Sequence, residues 1–206
     1  MSPVVVLISG RGSNLQALLD AGLPVAAVIS NVPDAGGLAI AAQRGVSTLV
    51  VPHKDFASRE SFEDALAEGI DRCSPGLVVL AGFMRVLTAG FVARYHDRML
   101  NIHPSLLPAF PGLNTHERAL AEGVKLHGCT VHFVTADLDH GPIVAQAAIP
   151  VRREDSAASL ARRVLKQEHA VYPRAVRWFL EGKLVIRGGA VSVKGNDAQY
   201  VFDDSP

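Results

Sequence analysis

Pro3-Val-Val-Val-Leu-Ile8, followed at once by Ser9-Gly10-Arg11-Gly12-Ser13-Asn14-Leu15, decides the fold class. A short unbroken apolar run has the pattern of a strand buried on both faces of a parallel sheet. The glycines make a tight turn, and Ala17-Leu18-Leu19 carries the chain into a helix. Ser13 and Gln16 have the Ser-x-x-Gln spacing of a capping box, which places the helix start there. The same geometry admits a second use. Free N–H groups at a helix N-terminus, approached closely because glycine has no side chain, make a phosphate site. Two stronger nucleotide fingerprints fail. Leu15 stands where a dinucleotide turn has its third glycine, and no Gly-Lys-Ser/Thr follows. A monophosphate therefore suits this turn better than a dinucleotide.

Outward from this unit, Val25–Ile29, Thr48–Val51 and Leu77–Leu80 read as strands. Helical stretches over Gly37–Arg44 and from Ser58 to about Cys73 separate them. Strands alternating with such helices imply right-handed βαβ units and a parallel sheet. Ligands then bind beyond the carboxyl ends of the strands. Gly12, Arg85 and Asn101 each follow a strand end, so they are expected on one rim.

The second informative stretch is Asn101-Ile102-His103-Pro104-Ser105-Leu106-Leu107-Pro108. Side chains alternate along an extended strand, so the Asn101 amide and the His103 imidazole share a side. The prolines remove backbone donors and fix φ, which makes the following segment an ordered, non-helical loop. A carboxamide and a histidine side by side suit a developing oxyanion; an ordinary surface histidine is the alternative. Downstream, Thr115–Gly123 reads as a helix, and Thr130–Val134 and Ile143–Val151 read as strands. The turn between those strands contains Asp137 and Asp139. Its Asp-x-Asp start hints at calcium, but Pro142 and Ala148 occupy the positions of the required glycine and glutamate. Asp139 gains a role only if the fold brings it to His103.

Ser156–Leu180 has the period of a long amphipathic helix, with Leu160, Val164, Val171, Ala175 and Trp178 in one arc. Glu168 projects from that arc, so it meets a structural partner or faces a cavity. Pro173 removes one helical hydrogen bond and is expected to kink the helix. The tail from Lys183 is expected to form a hairpin around Gly188-Gly189.

Composition narrows the class further. The 206 residues are 49% hydrophobic, enough for one domain with a full core. Twenty basic and twenty acidic residues cancel, so no net field draws in nucleic acid or an anionic membrane. Cys73 and Cys129 lack metal-site or disulfide spacing. No membrane span or signal peptide is legible, which predicts a soluble cytoplasmic protein.

Ser9-Gly-x-Gly-Ser-Asn-Leu15, Ala81-Gly-Phe-Met-Arg85, Asn101-Ile-His-Pro-Ser-Leu-Leu-Pro108 and Gln167-Glu-His169 together resemble the phosphoribosylglycinamide formyltransferases of purine biosynthesis. The resemblance extends from the first strand to at least Leu180, and Asp139-x-Gly-Pro142 belongs to the wider folate-dependent formyltransferase superfamily. It implies a Rossmann-like α/β fold, a mostly parallel twisted sheet with helices on both faces. It implies a single domain over 1–206, with 1–95 as the nucleotide-phosphate half and 96–206 as the catalytic and folate half.

By the same resemblance, 10-formyltetrahydrofolate is the co-substrate and the amine of glycinamide ribonucleotide is the acceptor, with no metal. Asn101 and His103 would hold the oxyanion, His103 acting as general acid, and Asp139 would orient His103 and favour its imidazolium form. Gly12, Ser13, Asn14 and Leu15 would bind the nucleotide phosphate and neighbouring groups, and Glu168 the ribose hydroxyls. Arg59, Met84, Arg85, Val86 and Leu87, with Asn101, would line the folate pocket, and Thr135, Ala136, Asp137, Leu138 and Asp139 would close over the pterin. His140 replaces a small residue of many relatives and is expected to face solvent, the alternative being that it perturbs the charge near His103; no role is assigned to it. His116, His127 and His132 are left between site and packing. The rival activities are formyltetrahydrofolate hydrolysis, initiator-tRNA formylation and sugar-nucleotide formylation; the rival outside catalysis is a silent folate- or nucleotide-binding module. Relatives leave a monomer or a homodimer open.

Overall fold

The computed structural model describes residues 2–203. It is an α/β protein in which parallel strand pairs predominate. Contacts divide the chain into two compact units, with the boundary between Asn101 and Ile102.

In the first unit, β1 (Val4–Ile8), β2 (Val25–Ser30), β3 (Ser47–Val50), β4 (Leu77–Leu80) and the start of β5 (Met99–His103) pair in the order β5-β4-β1-β2-β3. Every pairing among them is parallel. β1 is buried at all five positions, as a central strand covered on both faces requires. Helices α1 (Ser13–Asp20), α2 (Gly36–Gln43), α3 (Arg59–Asp71) and α4 (Ala89–Arg94) connect the strands. Because all the strands run the same way, the segments after Ile8 and Leu80 leave from one edge of the sheet, as expected. Asn101 instead lies within β5 opposite Leu80, not past the strand end, because the extended backbone continues to His103.

One local reading is corrected. Ser13 is the first residue of α1, and Gly12 takes the cap position in a left-handed conformation, with no side-chain cap. The Gln16 side chain reaches forward to Asp20 at 2.8 Å instead of back to the cap. A glycine at φ 83° turns the chain more sharply than a serine cap could, so the capping-box geometry is lost. α3, by contrast, does begin with a capping box, between Ser58 and Ser61. Helix α4 carried no clear sequence signal because it is only six residues long.

In the second unit, α5 (Thr115–Ala121) leads to β6 (Leu126–Phe133), which pairs antiparallel with β7 (Ile143–Pro150). β6 starts four residues before the expected Thr130, because His127 and Gly128 continue the ladder with Ile149 and Ala148. Gly128 is required there: a Cβ would lie 1.8 Å from the Ala147 carbonyl oxygen. The amphipathic α6 (Ala157–Leu180) packs on β6 and β7 and continues through Pro173 as one helix. β8 (Leu184–Arg187) and β9 (Ala190–Val193) form the expected hairpin. β10 (Tyr200–Phe202), unforeseen in the sequence, pairs parallel with β7. Among the described residues, no helix is long and apolar enough to cross a membrane.

Candidate active site

The site is built around the end of β5. Leu100 and Ile102 are buried on one side of the strand, and period two gives the other side to Asn101 and His103. Beyond His103 the chain is a shaped, non-helical loop, as the prolines require. Thr130 of β6 pins it: its hydroxyl donates to the Ser105 carbonyl at 2.7 Å and accepts the Leu107 N–H at 3.0 Å. Gln146 of β7 donates to the Leu107 carbonyl at 2.9 Å, and the Thr115 hydroxyl donates to the Pro104 carbonyl at 2.7 Å. The loop returns the Phe110 carbonyl to His103, 2.9 Å from Nε2.

Asp139 does reach His103. Its Oδ2 lies 3.4 Å from His103 Nδ1, and the two side chains are only 8% and 7% exposed. Oδ2 also accepts the Gly112 N–H at 2.8 Å, so the carboxylate is held from a second direction. Asp139 adopts φ 55°, a left-handed conformation that aspartate tolerates better than most residues. Gly141, two residues on, is packed so tightly that a Cβ would meet the Phe133 carbonyl oxygen at 1.7 Å. The Asp-x-Gly-Pro spacing thus reflects the seating of this turn against the end of β6.

His132 completes the cluster. Its Nδ1 lies 2.9 Å from the Phe133 carbonyl, which can only accept, so that nitrogen bears the proton. Its Nε2 stands 3.8 Å from Asp139 Oδ1. Burial pushes the His132 pKa down, which favours the neutral ring. His127 Nε2 lies 3.2 Å from His116 Nδ1, and burial lowers both, His127 to about 4. The charge of His103 adds to the lowering in all three. Sequence reasoning had left these three histidines open and had missed the Phe110 carbonyl and Gly112 N–H. Backbone groups leave no residue-type signal.

The remaining candidates fall in several places. Gly12 is buried in the turn, Ser13 is half-buried at the first residue of α1, and Asn14 is buried at the second. Leu15 and Leu87 bury their side chains in the core, so each offers a ligand only its backbone. Arg59 is exposed at the first residue of α3; Met84 and Val86 are exposed and Arg85 half-buried beyond β4. Thr135 is half-buried, whereas Ala136, Asp137, Leu138 and His140 are exposed. Glu168 is buried on α6, and its charge helps raise the pKa of the buried Cys129 thiol. Among the described residues, no group of three or more His, Cys, Asp or Glu could hold a metal ion.

The family model described as formyl transferase matches residues 2–176. The chain is 48% identical over 198 residues to the phosphoribosylglycinamide formyltransferase of Escherichia coli K12, covering 93% of each. The solved phosphoribosylglycinamide formyltransferase of Coxiella burnetii superimposes with a TM-score of 0.92 at 47% identity, over 98% of this chain and 99% of that one. A formyltetrahydrofolate deformylase from Pseudomonas syringae aligns with a TM-score of 0.87 at 28% identity, over 93% of this chain but 65% of that one. The protein belongs to the phosphoribosylglycinamide formyltransferase family.

Proposed function

We propose that the protein transfers the formyl group of 10-formyltetrahydrofolate to the amine of 5'-phosphoribosylglycinamide, giving formylglycinamide ribonucleotide and tetrahydrofolate. The observation that carries this reading is the buried pair of His103 and Asp139, Nδ1 to Oδ2 at 3.4 Å. In the proposed reaction the amine nitrogen attacks the formyl carbon, and the carbonyl oxygen becomes an oxyanion. The Asn101 amide and the His103 imidazolium donate to that oxygen. The attacking amine nitrogen gives up a proton, the tetrahedral intermediate collapses, the bond to the folate nitrogen breaks, and that nitrogen takes a proton with His103 as general acid, so the transfer is proton-neutral overall. A ring protonated on both nitrogens directs Nδ1–H at Asp139, and its Nε2–H, which otherwise rests on the Phe110 carbonyl, is the one donor it has for the oxyanion and the leaving nitrogen. Asp139 fixes the ring, and Gly112 fixes Asp139.

For the phosphorylated substrate, the N–H groups at the start of α1, with Gly12, Ser13, Asn14 and Leu15, supply the phosphate site, and Glu168 accepts from the ribose hydroxyls. For the folate, the proposed walls are Arg59, Met84–Leu87, Asn101 and the Thr135–Asp139 turn. The proposed setting is the cytoplasm, with small molecules as partners.

The test is formyl transfer from 10-formyltetrahydrofolate, followed by folate absorbance with and without the ribonucleotide. Turnover that requires the ribonucleotide and yields its N-formyl product is expected. Equal folate release without it would identify a hydrolase, and no turnover with retained ligand binding would identify a silent module.

A further inference from the structure

The four residues Met84–Leu87 carry no secondary structure, and two of them, Met84 and Val86, expose apolar side chains. Such a segment is expected to be mobile unless something holds it. Both of its ends are held by side chains from distant parts of the chain. At the start, the Met84 N–H donates to the Ser9 hydroxyl at 2.8 Å, and that hydroxyl donates to Asn31 Oδ1 at 2.6 Å. Asn31 is 3% exposed, and its amide nitrogen is 3.1 Å from His53 Nδ1. The Ser9 N–H donates to the Gly82 carbonyl at 3.1 Å, a second tie between the same segments.

Just past the other end stands Thr88, the N-cap of α4. Its N–H donates to Glu63 Oε1 at 2.8 Å and its hydroxyl donates to Oε2. Glu63 projects from α3 and is 4% exposed. A carboxylate is costly to bury, and an apolar residue would serve the core better. Both carboxylate oxygens are directed at the single residue that ends the loop.

We propose that Ser9 and Glu63 are positioning residues that clamp the Met84–Leu87 loop at its two ends and so preorganise it for the folate. This rests on the reading above that the loop lines the folate pocket. Holding a short loop in its bound form removes the ordering cost from the binding step, so the clamp acts on the affinity for the formyl donor. Ser9 also opens the phosphate turn, so its loss reaches both substrates. Glu63 reaches only the folate loop.

The experiment compares Ser9→Ala, Glu63→Gln and Thr88→Val with Ser9→Thr and Thr88→Ser, which keep the hydroxyls. KM and kcat are measured for each substrate, with hydrogen exchange of the Met84 and Thr88 amides. Glu63→Gln and Thr88→Val are expected to raise the KM for the donor about 5- to 20-fold. Their kcat and KM for the ribonucleotide should stay within about twofold, and both amides should exchange about tenfold faster. Ser9→Ala should raise both KM values, and the hydroxyl-retaining variants should recover most of the loss. Should Glu63→Gln fail to fold, Thr88→Val and Ser9→Ala decide. Variants that lower the melting temperature while leaving donor KM and exchange unchanged would overturn the clamp. Arg85→Ala separates the two levels. A raised donor KM there with none in the clamp variants sinks only the clamp. An unchanged donor KM in Arg85→Ala sinks the folate reading of the loop and the proposal with it.

Discussion

Asp139 Oδ2 faces His103 Nδ1 at 3.4 Å while accepting the Gly112 N–H at 2.8 Å, so one carboxylate oxygen ties the histidine to the loop that follows it. In this nearly sealed setting an oriented imidazolium is worth more than in water, because there is little solvent to screen it. Asn101→Ala and His103→Ala are therefore expected to lower kcat by about 10²–10³ with little change in KM. Asp139→Asn keeps the shape but loses the charge. It should lower kcat by at least about tenfold. Steady-state kinetics checks both, and an unchanged kcat in Asp139→Asn would remove Asp139 from the mechanism.

The turn between β1 and α1, the proposed phosphate site, has no room for a side chain at position 12. A Cβ on Gly12 would lie 2.5 Å from the Gly37 Cα, and φ 83° already disfavours any other residue. Gly12→Ala should destabilise the protein by about 2 kcal/mol or more and raise the KM for the ribonucleotide. Urea unfolding and kinetics together test this. An alanine variant of wild-type stability would mean the turn repacks freely.

Acid should loosen the second unit through His127. Its pKa falls from the ordinary 6.5 to about 4 on folding, so the unfolded chain binds a proton more readily. The sign follows: stability from this source is full above about pH 6.5 and declines as pH falls towards 4. The loss is on the order of 3 kcal/mol by linkage, and the lowered pKa of His116 acts in the same direction. Urea midpoints at pH 7.5 and 4.5 should converge in His127→Phe relative to wild type. Equal slopes in the two proteins would contradict the assignment.

The two cysteines should differ in reactivity. Burial, with the charge of Glu168, pushes the Cys129 thiol well above its usual range, while Cys73 is partly exposed. The thiolate is the reactive form, so native protein at pH 8 should titrate one thiol quickly and the second only on unfolding. Two fast thiols would show that the β6 region opens readily.

What the sequence determined by itself is what local rules govern. An unbroken apolar run such as Val4–Ile8 has one economical home, a buried parallel strand, and alternation put Asn101 and His103 on one face before any fold was known. The amphipathic period placed Glu168 in an apolar arc, and the structure buries it there. Tertiary structure alone decided the rest. An aspartate in a turn carries no mark of its destination, so only the antiparallel return of β7 on β6, seated by Gly141, delivers Asp139 to His103. The chain entry into α1 was misread because the close approach of Gly12 and Gly37 joins residues distant in sequence. The same holds for Ser9 at Met84 and Glu63 at Thr88: each is an unremarkable polar residue until folding pairs it with a backbone N–H that needs an acceptor.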